Sequence, residues 1–266
     1  MLVLKKRLIP VLFLKGGWIV RSESFKHHQI IGDPVGHVER MVDWNVDELV
    51  VINISSGADG FQHQRPDLKN KPVKNLGDFI QLISVNCGIP LTFGGGVYSI
   101  EDIAKIISCG ADKVLVNKMF HDHPEKIIEA AKRFGSQAIV LSVDYKFVDD
   151  DYFVFTHHGK LNSGKSLSYV LRMAEDNGIG EVLINSIEND GCAKGYDLLA
   201  TEKAMASCSR PIITCGGAGH QMHFSECFTK TNVNAIAAGN IFHFSENAYP
   251  RAKEYLQRKG VPVRQA

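Results

Sequence analysis

The sequence predicts an α/β fold: eight parallel strands, each followed by a helix, closed into one (βα)8 barrel. Three observations carry that expectation. Short apolar runs alternate with amphipathic stretches along the whole chain. Its 266 residues are about the length of one such barrel, and 44% hydrophobic content can fill one large core. The chain also repeats itself at about half its length.

Apolar runs fall at 8–14, 48–54, 91–93, 113–116, 138–143, 181–186, 211–214 and 235–238. Runs so short and so rich in Val, Ile and Leu suit strands buried on both faces. Between them, 78–85, 100–108, 124–133, 167–176 and 197–208 carry the apolar spacing of helices. An open doubly wound sheet is the structural rival. It needs a reversal of strand order and usually a GxGxxG turn near the start, which this sequence lacks.

The repeat is specific. Ile9, Pro10, Val11, Leu12, Phe13, Leu14 and Lys15 echo 139–146, where Asp144 precedes Lys146 by two residues as Phe13 precedes Lys15. The run 47–54 echoes 180–187, and 89–96 echoes 210–217. Phe120 and His121 follow the first copy at nearly the distance at which Phe242 and His243 follow the second. A period this long is no solenoid unit. It indicates one domain, 1–266, made of half-barrels at about 1–134 and 135–266.

Composition excludes several classes. A net charge of +1 gives no global field for nucleic acid or an anionic membrane, and Lys5, Lys6 and Arg7 are too few for a basic patch. No apolar run approaches the roughly 20 residues of a membrane span, and no signal peptide is evident. Six cysteines without a CxxC pair fit thiols in a reducing cytoplasm. The histidines, among them His27, His28, His121, His123, His157 and His158, form no ligand pattern with a carboxylate. No metal and no cofactor is expected.

In such a barrel, function sits where strands end. Two glycine turns fall there: Gly94, Gly95 and Gly96, then Gly216, Gly217, Ala218 and Gly219. Glycine lets backbone N–H groups approach an anion. Asn117 with Lys118, and Gly239 with Asn240, end the following strands and could complete two phosphate cradles, with helix N-termini behind them. The plain alternative is that these glycines only tighten βα loops.

Several segments together resemble the cyclase subunit of imidazole glycerol phosphate synthase over nearly the full length. They are 6–10, 32–35, 47–50, 110–114, 133–137, Asp190 with Gly191, 195–197 and 241–244. The resemblance implies a barrel that takes ammonia from a partner glutaminase and reacts it with a bis-phosphorylated substrate. The family's catalytic pair is two aspartates. The second maps to Asp144 and the first to Phe13. Asn53, Ser186, Asp190 and Gly191 map to the substrate mouth; there Asn53 and Glu188 replace family aspartates.

The resemblance also implies a charged ring that gates ammonia at the opposite end, mapping to Arg7, Glu48, Lys113 and Glu181. Alternation agrees: Arg7 shares a face with Ile9, Val11 and Phe13, Lys113 with Leu115 and Asn117, and Glu181 with Leu183 and Asn185. From the residues alone, a plain salt-bridge ring closing the floor is an equal reading. Glu48, Val50 and Ile52 share a face too, which leaves Asn53 off it unless the rim bulges. Asp112 maps to a residue facing the glutaminase.

The expected function is therefore an ammonia-accepting subunit of a glutamine-dependent complex, an enzyme as part of that complex. The glutaminase docks on the N-terminal face as a heterodimer. The opening 8–12 together with 21–25 resembles the branch that supports acetamidino modification of a bacterial surface sugar, and that resemblance implies a phosphorylated small molecule or sugar as substrate and a separate amidotransferase. The alternatives are an authentic cyclase of histidine biosynthesis and a non-catalytic scaffold for the glutaminase.

Overall fold

A computed structural model describes residues 4–55 and 75–265. In chain order, β1 (Arg7–Lys15) leads into a hairpin of β2 (Trp18–Glu23) and β3 (His27–Gly32), then α1 (Pro34–Asp43). Next come β4 (Leu49–Asn53), α2 (Leu76–Asn86), β5 (Leu91–Gly94), α3 (Ile100–Ser108), β6 (Lys113–Val116), α4 (Lys118–Asp122) and α5 (Pro124–Phe134). The second half opens with β7 (Ile139–Val148) and the hairpin β8 (Asp151–Thr156) and β9 (Leu161–Ser166), followed by α6 (Leu167–Asp176) and β10 (Glu181–Ser186). It ends with α7 (Leu198–Ser207), β11 (Ile212–Cys215), α8 (Gln221–Thr231), β12 (Ala235–Ala238), a 3-10 turn at Asn240–Phe242 and α9 (Ala248–Arg258).

Eight strands pair in parallel in the order β10, β11, β12, β1, β4, β5, β6, β7, and β7 pairs back with β10. Glu181 stands opposite Val140 and Asn185 opposite Asp144 at that closure. The expected barrel is therefore closed, and the open-sheet rival is excluded.

Alternation along the strands sorts side chains into two clusters. Ile9, Val11, Phe13, Val50, Leu115, Val140, Leu183 and Ile213 fill the interior. Leu8, Leu12, Leu14, Val51, Val114, Leu141 and Ile184 face outward and meet the helices. Helix starts are fixed by short polar side chains. Asp33 accepts from Gly36 N ahead of Pro34, Ser99 and Asp102 form a reciprocal capping box, and Asp197 accepts from Ala200 N.

The two antiparallel hairpins were not expected from the sequence. Each extends the first strand of its half: β2 pairs with β1, and β8 with β7. Their turns hold two consecutive residues at positive φ, Gly16 with Gly17, Ser24 with Phe25, Asp149 with Asp150, and His157 with His158. At the two-residue loops 16–17 and 149–150 that geometry matches the strand twist, and these were the available signal. No helix among the described residues is long and apolar enough to cross a membrane.

Candidate active site

At the start of the strands, four charges close a ring. Arg7 Nη1 donates to Glu48 Oε2 at 2.7 Å, and Arg7 Nη2 donates to Glu181 Oε1. Lys113 Nζ donates to Glu48 Oε1 at 2.8 Å and to Glu181 Oε2 at 2.9 Å. Each carboxylate thus bridges both cations. Thr92 Oγ1 adds a donor to Glu48 at 3.0 Å, a contact no sequence pattern announces. Glu181 is deeply buried, which works against its charge, but the bonds and charges of Arg7 and Lys113 hold its pKa below the usual value. Beside the ring, Asp112 Oδ2 accepts from Leu91 N at 2.8 Å.

Between this floor and the mouth the interior is apolar. Arg7 and Phe13 lie on one strand, six residues apart, which is roughly 20 Å at the rise of an extended strand. Ile9, Val11, Val50, Leu115, Val140 and Leu183 occupy that length.

At the mouth, Asp144 faces inward near the end of the stretch of β7 that pairs with β10. Asn117 Nδ2 donates to Asp144 Oδ2 at 3.1 Å. Burial drives the Asp144 carboxyl up to about 7, while Asn117 and Asn185 oppose the shift and Asp190 adds to it. A carboxyl half-ionised near neutrality suits proton transfer. Phe13 sits in the interior cluster at 8% exposure, with its ring edge toward the mouth pocket.

That pocket, about 210 Å³, is walled by Phe13, Arg21, Asp190 with Gly191, the backbone of Gly216 to Gly219, and Gly239 with Asn240. Gly216 and Gly217 hold positive φ, as do Gly95 and Gly96 at the equivalent turn. A Cβ at Gly217 would collide with the Gly195 carbonyl, one at Gly95 with the Asn53 carbonyl, and one at Gly94 would stand 2.6 Å from Leu115 Cβ. Gly96 faces open space. Close packing therefore requires Gly94, Gly95, Gly216 and Gly217, whereas Gly96 leaves its backbone accessible.

The β2–β3 hairpin folds across this pocket, which the sequence did not reveal. Ser22 Oγ donates to Asp190 Oδ2 at 3.0 Å, and Asn240 Nδ2 donates to the Ser22 carbonyl at 2.7 Å. The Asn240 side chain is thus used to hold the hairpin, and its backbone remains the pocket wall. Arg21 arrives on the same hairpin and gives the pocket a cation. Cys215, also in the wall, is a buried thiol whose pKa is pushed far up.

Other sequence candidates stand elsewhere. Asn53 pairs with the outward Leu14, and its Oδ1 accepts from Ser55 N and Oγ. Ser186 follows the inward Asn185 and pairs with the outward Tyr145. Glu188 accepts from Phe147 N at 3.2 Å, at the rim. Lys118 lies over the Tyr98 ring. The helix behind Asn117 is a five-residue turn, and only a 3-10 turn follows Gly239.

Comparison with known proteins decides the lineage. The model of the histidine biosynthesis protein family matches residues 7–248. This chain belongs to that family. Within it, the chain is similar to imidazole glycerol phosphate synthase subunit HisF of Hydrogenobaculum sp. (strain Y04AAS1), 35% identical over 98% of this chain and all of that one. It is likewise similar to the HisF subunits of Bacteroides fragilis (strain YCH46), 34% identical over 98% of this chain and all of that one, and of Campylobacter concisus (strain 13826), 36% over 97% and 98%. The chain is HisF-like along its whole length.

Proposed function

We propose that this chain is the cyclase-type subunit of a glutamine-dependent synthase. A glutaminase docks on the floor side, where Arg7, Glu48, Lys113 and Glu181 form the ring. Ammonia passes the ring and crosses the apolar interior as neutral NH3, since a charged ammonium ion is strongly disfavoured there. At the mouth it meets a phosphorylated substrate. Gly94 to Gly96 with Asn117 serve one phosphate, and Gly216 and Gly217 with Gly239, Asn240 and Arg21 serve the other. Asp144 moves the protons. The observation that carries this reading is the pairing, in one barrel, of a closed charged ring at one end with an acid held near pH 7 at the other. The relatives' description as a subunit of imidazole glycerol phosphate synthase supports a glutaminase partner and that product.

One observation favours a second reading of the acceptor. The family resemblance aligns Phe13 with the first of two catalytic aspartates, and a phenyl ring moves no proton. In that reading the barrel supplies ammonia for amidination of a surface sugar, completed by a separate amidotransferase. Loss of a positioned acid or base costs about 10²–10⁴-fold. The test is an ammonia-driven cyclase assay with the bis-phosphorylated ribulosyl substrate, run on this chain and on Phe13→Asp. Turnover at a metabolic rate by the unmodified chain establishes imidazole glycerol phosphate formation. Turnover only in Phe13→Asp supports the second reading and counts against imidazole glycerol phosphate as this chain's product.

A further inference from the structure

Beside the mouth, one side-chain cluster lacks the partners its chemistry demands. His37 and Arg40 lie one turn apart on α1, and His243 follows the 3-10 turn after β12. The imidazoles of His37 and His243 have ring centroids 5.3 Å apart, tilted by 58°. Arg40 lays its guanidinium over Trp44 at 5.4 Å. Gly32 makes room for this arrangement, because a side chain there would collide with the His37 ring. His37 Nδ1 stands 2.8 Å from the Asp33 carbonyl, which fixes the proton on that nitrogen.

The remaining nitrogens are stranded. Arg40 Nε and Nη2 and both ring nitrogens of His243 are buried without a hydrogen-bond partner. These are four of the nine buried side-chain atoms in that condition among the described residues. A buried polar group without a partner bears its full desolvation penalty. Four in one place call for an acceptor that occupies the cluster. Among the described residues, no acid supplies it. Burial lowers the pKa of Arg40 with no carboxylate to raise it, and the charges acting on His243 are those of His37 and Arg40. The Asp33 carboxylate acts on His37 but accepts from Gly36 N at the helix start.

We propose that Arg40, His37 and His243 form an oxyanion site that takes a phosphoryl group. Arginine offers a fork of donors matched to phosphate oxygens, and His243 adds an N–H from a second direction. Packing fixes that imidazole: the adjacent Phe242 stacks with Phe224 at 5.9 Å and meets Tyr249 at 5.6 Å. The site adjoins the mouth but differs from the glycine turns in kind. It presents side-chain donors outside the barrel, whereas the turns present backbone. Phe244, next to His243 in the chain, and Ile241, two residues before it, line the mouth pocket, so a phosphoryl group held here lies at the edge of that pocket.

The test is a titration of the full chain, carrying ¹⁵N-labelled histidine, followed through the imidazole resonances. Inorganic phosphate and ribose 5-phosphate are the two probes, and sodium chloride at matched ionic strength is the control. The resonances of His37 and His243 are expected to shift together and saturate with one of the two phosphates. Whichever probe saturates first identifies the source as the free ion or an organic phosphate. Arg40→Met, which keeps the stem over Trp44, should weaken binding about tenfold or more. Arg40→Lys should fall between, since it keeps charge without the fork. Absence of shifts with both probes, equal shifts with chloride, or unchanged affinity in both Arg40 variants would overturn the proposal.

Discussion

The Asn117 amide donates to the Asp144 carboxylate at 3.1 Å across the β6–β7 edge of the mouth. The bond favours the ionised form, while burial favours the neutral one, and the balance leaves Asp144 at about 7. Both protonation states are therefore populated where a cell works.

Asp144 sets the first prediction. A base-dependent rate should rise through about pH 7 as Asp144 ionises. Asn117→Ala removes a donor to the ionised form, so the midpoint should move alkaline by up to about one unit. Stability runs the other way. The folded value lies above the unfolded one, so folding loses stability as pH rises from the ordinary carboxylate range to about 7. Asp144→Asn should therefore gain on the order of 2–4 kcal/mol above pH 7 and little near pH 4. Urea melts at both pH values check this.

Glu181→Gln tests the floor ring as a structural unit. The folded pKa of Glu181 is lowered, so its stabilisation is present above the unfolded value and lost as pH falls through the folded one. The side chains of Arg7 and Lys113 keep 28% and 22% exposure, which limits the loss. The variant should be about 1–3 kcal/mol less stable at pH 7. The gap to the unmodified chain should close below the usual glutamate range. An equal gap at pH 3 and pH 7 would show that the charge of Glu181 is not the source.

Lys253 and Asp47 pair at 2.6 Å with almost no exposure, and Asp47 Oδ2 also accepts from Leu8 N at 2.9 Å. Tyr249 OH donates to the Leu8 carbonyl at 2.8 Å and accepts from Asp47 N. This network ties α9 to the starts of β1 and β4. Lys253→Met should leave a buried carboxylate without its counter-charge and cost about 3–5 kcal/mol. Chemical denaturation reads it directly.

What the sequence could disclose followed from parity. Arg7, Lys113 and Glu181 alternate with apolar residues on one face, and Glu48 does the same with Val50 and Ile52. All four therefore meet inside the barrel. The same rule places Asn53 and Ser186 on the outward side, where the structure has them. Both carried a mouth role only through family resemblance. The hairpins at 18–32 and 151–166 escaped notice because neither shows a long apolar run. With them went Arg21 and Ser22, which depend on a fold-over that no local pattern encodes. Asn240 illustrates the same limit. Its place at the end of its strand, beside the mouth, was legible, but its side chain's engagement with Ser22 was not.

In the proposed function a glutaminase works through this barrel's floor. The most direct measurement is glutamine hydrolysis by the glutaminase of the same organism, with and without this chain, at micromolar concentrations. A rise that saturates at one chain per glutaminase is expected, together with co-elution of the two. An unchanged rate, with two separate peaks in size exclusion, would contradict it.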